Sequence, residues 1–332
     1  MSKSSPGHWR RLGRVYDPTA HVRPWALTHA CVPTALALPG GERIRVYHAP
    51  RNARGQSIPT YFDVDAADPT RLLDVAPAPI LDLGRLGTFD DGGIMPCSAL
   101  WVGDEVYLYY VGWNPSVSVA YRNAVGLAIS RDGGRTFERP YPGAVVDRSL
   151  TEPFFTASPF VLRERDGLFR MYYASGTGFL RVAGRVEPLY EVMYAESEDG
   201  VRWRREGRPL LTRHHDREAT ARPSVVPAAG GGYDMYFTYR GSDDFRDGTD
   251  AYRIGYAYSP DGRAWTRDDE RCGIGVAAAG AWDSTMLTYP SVVDVAARRY
   301  LFYNGNGFGR TGIGVARWTG QETAAPTNPP PQ

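Results

Sequence analysis

The sequence predicts an all-β fold, a single five-bladed β-propeller. Three observations carry this expectation. First, a proline entering an apolar strand recurs five times, in CVPTALAL at Pro33, MPCSALWV at Pro96, SPFVL at Pro159, RPSVV at Pro223 and YPSVV at Pro290, at steps of 63, 63, 64 and 67 residues. A fixed period of that size with strand-rich units is a propeller signature. Second, the same succession of short strands follows each proline, and no long 3.6-residue periodicity interrupts the alternation of apolar and polar residues. Third, the last copy is one strand short, and the N-terminal segment supplies a matching strand.

Within a repeat, the proline strand is followed by a tyrosine-rich second strand: IRVYHA, VYLYYV, FRMYYA, YDMYFT and RYLFYN. The third strand reads AVGLAIS, EVMYAES, RIGYAYS and TGIGVAR, with the divergent TYFDVD in the first repeat. Then comes a hairpin, SRDGGRTF, SEDGVRW or SPDGRAW, because Asp-Gly between two β-rich runs is a strong hairpin signal. Each hairpin enters a fourth strand carrying Phe137, Trp203 or Trp265. The fifth copy stops at Trp318, whereas HWRRLGRVY at 8–16 resembles the fourth strand RWRREGRPL at 202–210. A first strand that completes the last blade closes the ring and removes exposed sheet edges. The expected organisation is an unstructured segment 1–7, a propeller over 8–318 and an unstructured Pro-rich tail 319–332.

Composition narrows the function classes. The net charge is +1, which argues against a general nucleic-acid binder. Among the 38 basic residues only Lys3 is lysine, a coding bias without functional content. The first twenty residues lack the apolar core of a signal peptide and no run reaches membrane-spanning length, so a cytoplasmic protein with no membrane partner is expected. Cys31, Cys97 and Cys272 form no CxxC motif and read as packing residues. The HHDRE run at 214–218 and the aspartate-rich SDDFRDGTD at 242–250 lack metal-site spacing, so no metal is expected. The glycine-rich NGNGFG at 304–309 follows a strand and opens no helix, so no nucleotide loop and no cofactor is expected.

Propeller geometry says where a site must lie. Strand one leaves one face and strand two returns to it, so the segment before strand one and the loop after strand two share the funnel mouth. The Asp-Gly hairpins lie on the opposite face, where Asp132 and its counterparts bond their own turn. Before strand one stand His29 in the first repeat, Asp90 and Asp91 in the second, Glu152, Glu218 and Asp283 in the others. After strand two come Arg51, Trp113, Tyr239, Arg240, Asn304 and Asn306. Arg122 and Arg253 begin third strands on the same side, and Arg222 and Tyr289 directly precede prolines. Converging carboxylates, arginines and aromatic rings suit a sugar, and a pair of acids can work on a glycosidic bond.

The ordered motifs GTFDDGGIMPCS, EPFFTASPF, EATARPSVV, YRIGYAYSPDG, WDSTMLTYPSV and YNGNGFGRTGIG resemble bacterial glycosyl-hydrolase-like proteins. That group is similar to the five-bladed superfamily of glycoside hydrolase families 43, 32, 62 and 130, and SRDGGRTF is similar to the sialidase Asp-box. The resemblance covers Trp9 to Trp318. For the arabinanase and xylosidase family it implies Glu152 as acidity modulator and Glu218 as general acid, but the first repeat reads THACVPT and has no carboxylate for the base. For the mannoside phosphorylase family it implies Asp91, or Asp90, as the acid, with Arg122, Arg222, Arg240 and Arg253 available to phosphate. The expected function is a glycoside hydrolase-like enzyme acting on a small-molecule or oligosaccharide substrate through Asp91, Glu152, Glu218 and Asp283. The alternatives are a phosphorylase or a transferase using a phosphorylated sugar, and a non-hydrolytic sugar- or small-molecule-binding propeller.

Overall fold

A computed structural model describes residues 7–320. The chain-end segments expected to lack structure fall almost wholly on 1–6 and 321–332, outside the described residues. The chain begins with β1 (Trp9–Tyr16). Blade I follows as β2 (Thr28–Ala37), β3 (Arg43–Arg51), β4 (Thr60–Asp65) and β5 (Leu72–Val75). Blade II comprises β6 (Gly93–Val102), β7 (Glu105–Pro115) and β8 (Tyr121–Ser130), and blade III β9 (Thr156–Arg163), β10 (Phe169–Val182), β11 (Arg185–Ser197) and β12 (Arg204–Arg205). Blade IV is β13 (Ala219–Pro227), β14 (Tyr233–Arg240), β15 (Arg253–Ser259) and β16 (Thr266–Arg267). Blade V is β17 (Thr288–Val295), β18 (Arg298–Asn304) and β19 (Ile313–Trp318), with β1 as its outer strand.

The ring closure expected from the sequence is present: β1 runs antiparallel to β19, pairing Trp9 with Trp318 and Tyr16 with Ile313. Trp9 is buried, with its ring 5.3 Å from Tyr236 and 5.1 Å from Trp318. In blade II the fourth strand is reduced to isolated bridges at Glu138 and Val146.

The recurring prolines mark a bulge. The ladder slips before Thr34, Ser98, Ser224 and Ser291, just where each inner strand passes its proline. The preceding residue is left-handed at Val32 (φ 58°), Ser158 (φ 49°), Arg222 (φ 49°) and Tyr289 (φ 56°). Such a conformation costs about 1–3 kcal/mol in a non-glycine residue and persists only where its surroundings hold it. Here a serine belt does so. The hydroxyls of Ser98, Ser224 and Ser291 accept the backbone N–H of Val161, Val292 and Ala35 on the next blade at 2.9 Å.

Tyrosines clasp the opposite face. The hydroxyls of Tyr47, Tyr109 and Tyr172 donate to Gly134, Gly200 and Gly262 in the Asp-Gly hairpin of the next blade. The hairpin aspartates bond their own turns as expected. Asp199 accepts the N–H groups of Val201 and Arg202, and Asp261 those of Arg263 and Ala264, which holds both carboxyls at about 2.

His48 is wholly buried among Tyr16 and Phe62, and among the described residues neither ring nitrogen has a hydrogen-bond partner. Burial lowers its pKa from 6.5 to about 3. The unfolded chain therefore takes up this proton first as pH falls, so stability is complete above about pH 7 and declines below 6.5, by up to about 1.4 kcal/mol per pH unit. Urea midpoints measured from pH 7 to pH 5 should fall, and His48→Phe should flatten the slope. An unchanged slope in that variant would exclude His48 as the source. Trp9→Ala should lower stability by about 3–5 kcal/mol by opening the ring closure.

Candidate active-site funnel

The four blades that carry an acid before strand one use it in the same way. Asp90 accepts from Arg139 at 2.8 Å and from the Tyr110 hydroxyl at 2.9 Å. Glu152 accepts from the Tyr173 hydroxyl at 2.9 Å, with Arg205 at 3.6 Å. Glu218 holds Arg267 through two hydrogen bonds of 2.8 and 2.9 Å and also accepts the His214 N–H. Asp283 accepts from Arg11 at 3.0 Å and the Tyr303 hydroxyl at 3.1 Å. All four acids are buried, with 1–2 % of their surface exposed. Each arginine comes from the outer edge of the same blade. Arg205, Arg267 and Arg11 stand opposite or beside an alanine of the third strand, at Ala195, Ala257 and Ala316.

Blade I lacks every part of this staple. His29 stands in the acid's segment, His48 fills the tyrosine column, and Val75 closes the outer strand opposite Phe62. Acid and guanidinium are therefore present together or absent together, as a structural unit requires, and the hydroxyl accompanies them in blades II, III and V. In sequence the arginine is visible as an aromatic-x-Arg step in the fourth strand: Phe137–Arg139, Trp203–Arg205, Trp265–Arg267 and Trp9–Arg11.

The funnel itself is a cavity of about 830 Å³. Its walls come from the segments that propeller geometry placed at the mouth. Of the residues expected to bind substrate, His29, Arg51, Trp113, Arg240, Tyr289 and Asn306 line it. Arg122 lines a neighbouring groove. The others serve elsewhere. Asp90 is held in the staple. Arg222 crosses the ring axis, where it donates to the carbonyls of Cys97 and Pro33 and to Thr34 Oγ1, so it ties blade IV to blades I and II instead of facing ligand. Asn304 joins blade V to blade I by accepting Val32 N–H and donating to the Ala30 carbonyl. Arg253 is spent on the carbonyls of Ala251, Tyr252 and Thr285, and the Tyr239 ring lies 4.9 Å from the Arg267 guanidinium.

None of Asp91, Glu152, Glu218 and Asp283 lines the cavity. The structure does not bring these carboxylates together; three are locked to arginines of their own blades. Asp91 differs. Its Oδ2 accepts Gly87 N–H at 2.8 Å, and its carbonyl accepts Gln56 Nε2 at 3.2 Å.

The cavity also holds groups that the sequence reading missed. Arg310 reaches it from the turn after β18, and Glu187 and Arg246 lie in one wall as a two-bond ion pair of 2.6 and 3.0 Å. Tyr190 and Tyr252 share a hydrogen bond, and Arg240 Nε donates to both. Ser158, like Tyr289, is the left-handed residue before a proline, a position that faces the funnel and was readable in sequence. Glu187 and Tyr190 were not readable, because they lie where β10 and β11 extend beyond the length of the other hairpins.

The charged lining is unbalanced. Arg51, Arg240, Arg246 and Arg310 face two acids, Glu187 and Asp247. Among the described residues neither Arg51 nor Arg310 is paired with a carboxylate. Burial, then Arg51 and Arg310, lower the His29 pKa to about 4, so its imidazole is neutral at pH 7. The arrangement presents two guanidinium groups and a neutral ring beside a rim of tyrosines.

The staple can be tested by stability. Glu218→Ala takes one of two carboxylates from the buried Arg267, which keeps Asp269, and should cost about 1–3 kcal/mol, whereas Glu218→Leu combined with Arg267→Met should recover part of that loss. Urea denaturation of the three proteins distinguishes these cases. Wild-type stability in Glu218→Ala would remove the structural assignment.

No family model matches the chain. Two curated relatives, the uncharacterized proteins Rv1502 and MT1551 of Mycobacterium tuberculosis (strains ATCC 25618 / H37Rv and CDC 1551 / Oshkosh), are each 37% identical over 309 residues, 93% of this chain and 98% of theirs. A solved structure described as a glycoside hydrolase superposes with a TM-score of 0.69 at 17% identity, covering 98% of this chain and 96% of that one. Another, from work on GH130 mannoside phosphorylases and glycoside hydrolases that target beta-1,2 mannosidic linkages in Candida mannan, gives 0.67 at 18% identity and covers 98% of each chain. A thermostable family-43 glycoside hydrolase gives 0.60 at 14%, covering 93% of this chain and 98% of that one. At such identities the likeness is one of fold. The chain belongs to the family of the Mycobacterium tuberculosis proteins Rv1502 and MT1551, on the five-bladed β-propeller that glycoside hydrolases also use.

Proposed function

We propose that the protein is a carbohydrate-active enzyme that cleaves or forms a glycosidic bond with an inorganic phosphate or sugar phosphate group held in the funnel. The observation that carries this reading is the pair of guanidinium groups, Arg51 and Arg310, unpaired with carboxylates around the neutral His29. Arginine suits phosphate because its planar fork donates two parallel hydrogen bonds. The likeness in fold to glycoside hydrolases and to proteins of the GH130 family supports a sugar as the other reactant. The rings of Trp113 and Tyr289 in the lining offer faces for a pyranose or furanose ring.

The chemistry is consistent with the lack of a blade I carboxylate. Water must lose a proton to attack an anomeric carbon, which calls for a base. A phosphate dianion is already a nucleophile. One of its oxygens forms the new C–O bond, the glycosidic C–O bond breaks, and the departing oxygen takes one proton. Asp91 is the proposed donor of that proton, as the resemblance to mannoside phosphorylases implies. The reverse reaction transfers a sugar from its 1-phosphate to an acceptor hydroxyl. Glu152, Glu218 and Asp283 support the loops around the funnel and take no proton.

The test is turnover of an oligosaccharide panel with and without inorganic phosphate, read by release of sugar 1-phosphate. Turnover should require phosphate. Arg310→Ala should raise the KM for phosphate by roughly tenfold or more, from loss of charged hydrogen bonds. Asp91→Asn should lower kcat by about 10²–10⁴-fold without loss of stability. Hydrolysis at equal rate in phosphate-free buffer would overturn the phosphate reading.

A further inference from the structure

A second depression of about 610 Å³ lies beside the funnel, between blades II and III. Strand β8 forms the ridge between the two. Tyr121 lines the funnel, Arg122 lines the groove, and Asn123 lines both. Neighbouring strand residues point to opposite faces, which accounts for the split. The Asn123 side-chain oxygen is buried and has no hydrogen-bond partner among the described residues. A buried acceptor without a donor is costly, and a ligand hydroxyl crossing the ridge would satisfy it.

We infer that this groove binds the sugar units on the leaving-group side of the scissile bond, a part of the substrate that no other residue of the funnel accounts for; the inference rests on the reading of the funnel as a sugar site. The chemistry of the lining selects a polyhydroxylated chain. Asn114, Ser116 and Ser118 offer an amide and two hydroxyls, Arg122 offers a fork of donors, and the half-buried Phe89 presents an aromatic ring. Asp91 lines neither depression but is tied to residues beside both. Its carboxylate accepts the N–H of Gly87, a groove residue, and its carbonyl is held by Gln56, whose neighbours Gly55 and Ser57 line the funnel. A chain running from funnel to groove would therefore pass the segment that carries the proposed proton donor. The groove is the size of a site for a small ligand, large enough for sugar units beyond the one in the funnel.

The experiment uses the full chain on a glycan array spanning one to six sugar units, with calorimetric titration of the hits and of their shorter homologues. Wild-type affinity should rise by roughly tenfold or more between one and four units, through a few added hydrogen bonds. Ser118→Trp fills the groove and should abolish this rise while leaving affinity for a single sugar unit intact. Arg122→Ala is the milder second variant, because its exposed side chain can be removed without disturbing packing, and it should reduce the rise in part. A length-dependent gain that survives both variants would overturn the groove and leave the funnel reading standing. Absence of any gain with length in the wild type would also overturn the groove. Failure of every sugar to bind, with phosphate still bound, would remove the sugar reading of the funnel and the groove with it.

Discussion

Burying a carboxylate against a guanidinium repays its desolvation only if the geometry is good and the remaining lone pairs are satisfied. Blades II to V meet that condition with one repeated unit: an acid from the entering segment, an arginine from the outer edge and, in three of the four, a hydroxyl from the second strand. In blade IV the tyrosine column holds Phe237, and Glu218 compensates by taking two bonds from Arg267 and the N–H of His214. The unit pins the segment that crosses from the outside of one blade to the centre of the next. The segments entering blades II to V at the funnel mouth hang from it.

The same unit explains what the sequence disclosed and what it hid. Five prolines at an even period, tyrosine-rich second strands and a displaced fourth strand at 8–16 are local patterns, and they were enough for the fold, the blade count and the ring closure. The funnel face was legible too, because strand direction alone sorts loops to one end. His29, Arg51, Trp113, Arg240, Tyr289 and Asn306 were found this way. The acids were read as converging because sequence shows where a residue enters the face but not which neighbour claims it. Arg139 and Arg267 lie 49 residues from the acids they hold, and Arg11 lies 272 residues away. Glu187 and Arg310 stayed hidden for another reason. One depends on the unusual length of a hairpin and the other on a short turn, Asn306–Gly309, with left-handed backbone at Gly307 and Phe308.

With three of the expected catalytic carboxylates committed to the frame, the charges left in the funnel have a different sign. Arg222 adds to this from below. It is fully buried at the ring axis, its hydrogen-bond acceptors are carbonyls and a hydroxyl, and burial lowers its pKa. Arg240 is likewise held by carbonyls and phenols, with its guanidinium 4.0 Å above the Phe245 ring. Neither is neutralised by an acid among its hydrogen-bond partners. A concave site over such groups favours an anion more than the same groups would in bulk water.

The exceptional blade then becomes intelligible as the place where the proposed anion would sit. An acid at the position of His29 would lie beside Arg51 and Arg310, whose charges already reach the imidazole. At about 5 Å and an effective dielectric near 20, each such pair would attract by roughly 3 kcal/mol. The carboxylate would occupy the guanidinium groups that a phosphate needs. A neutral imidazole leaves them free and still offers a ring nitrogen for hydrogen bonding. Loss of the acid, the tyrosine and the arginine from blade I is thus one change with one consequence. The blade gives up its staple, relies on the apolar packing of His48, Tyr16 and Phe62 instead, and keeps its cations available to a ligand.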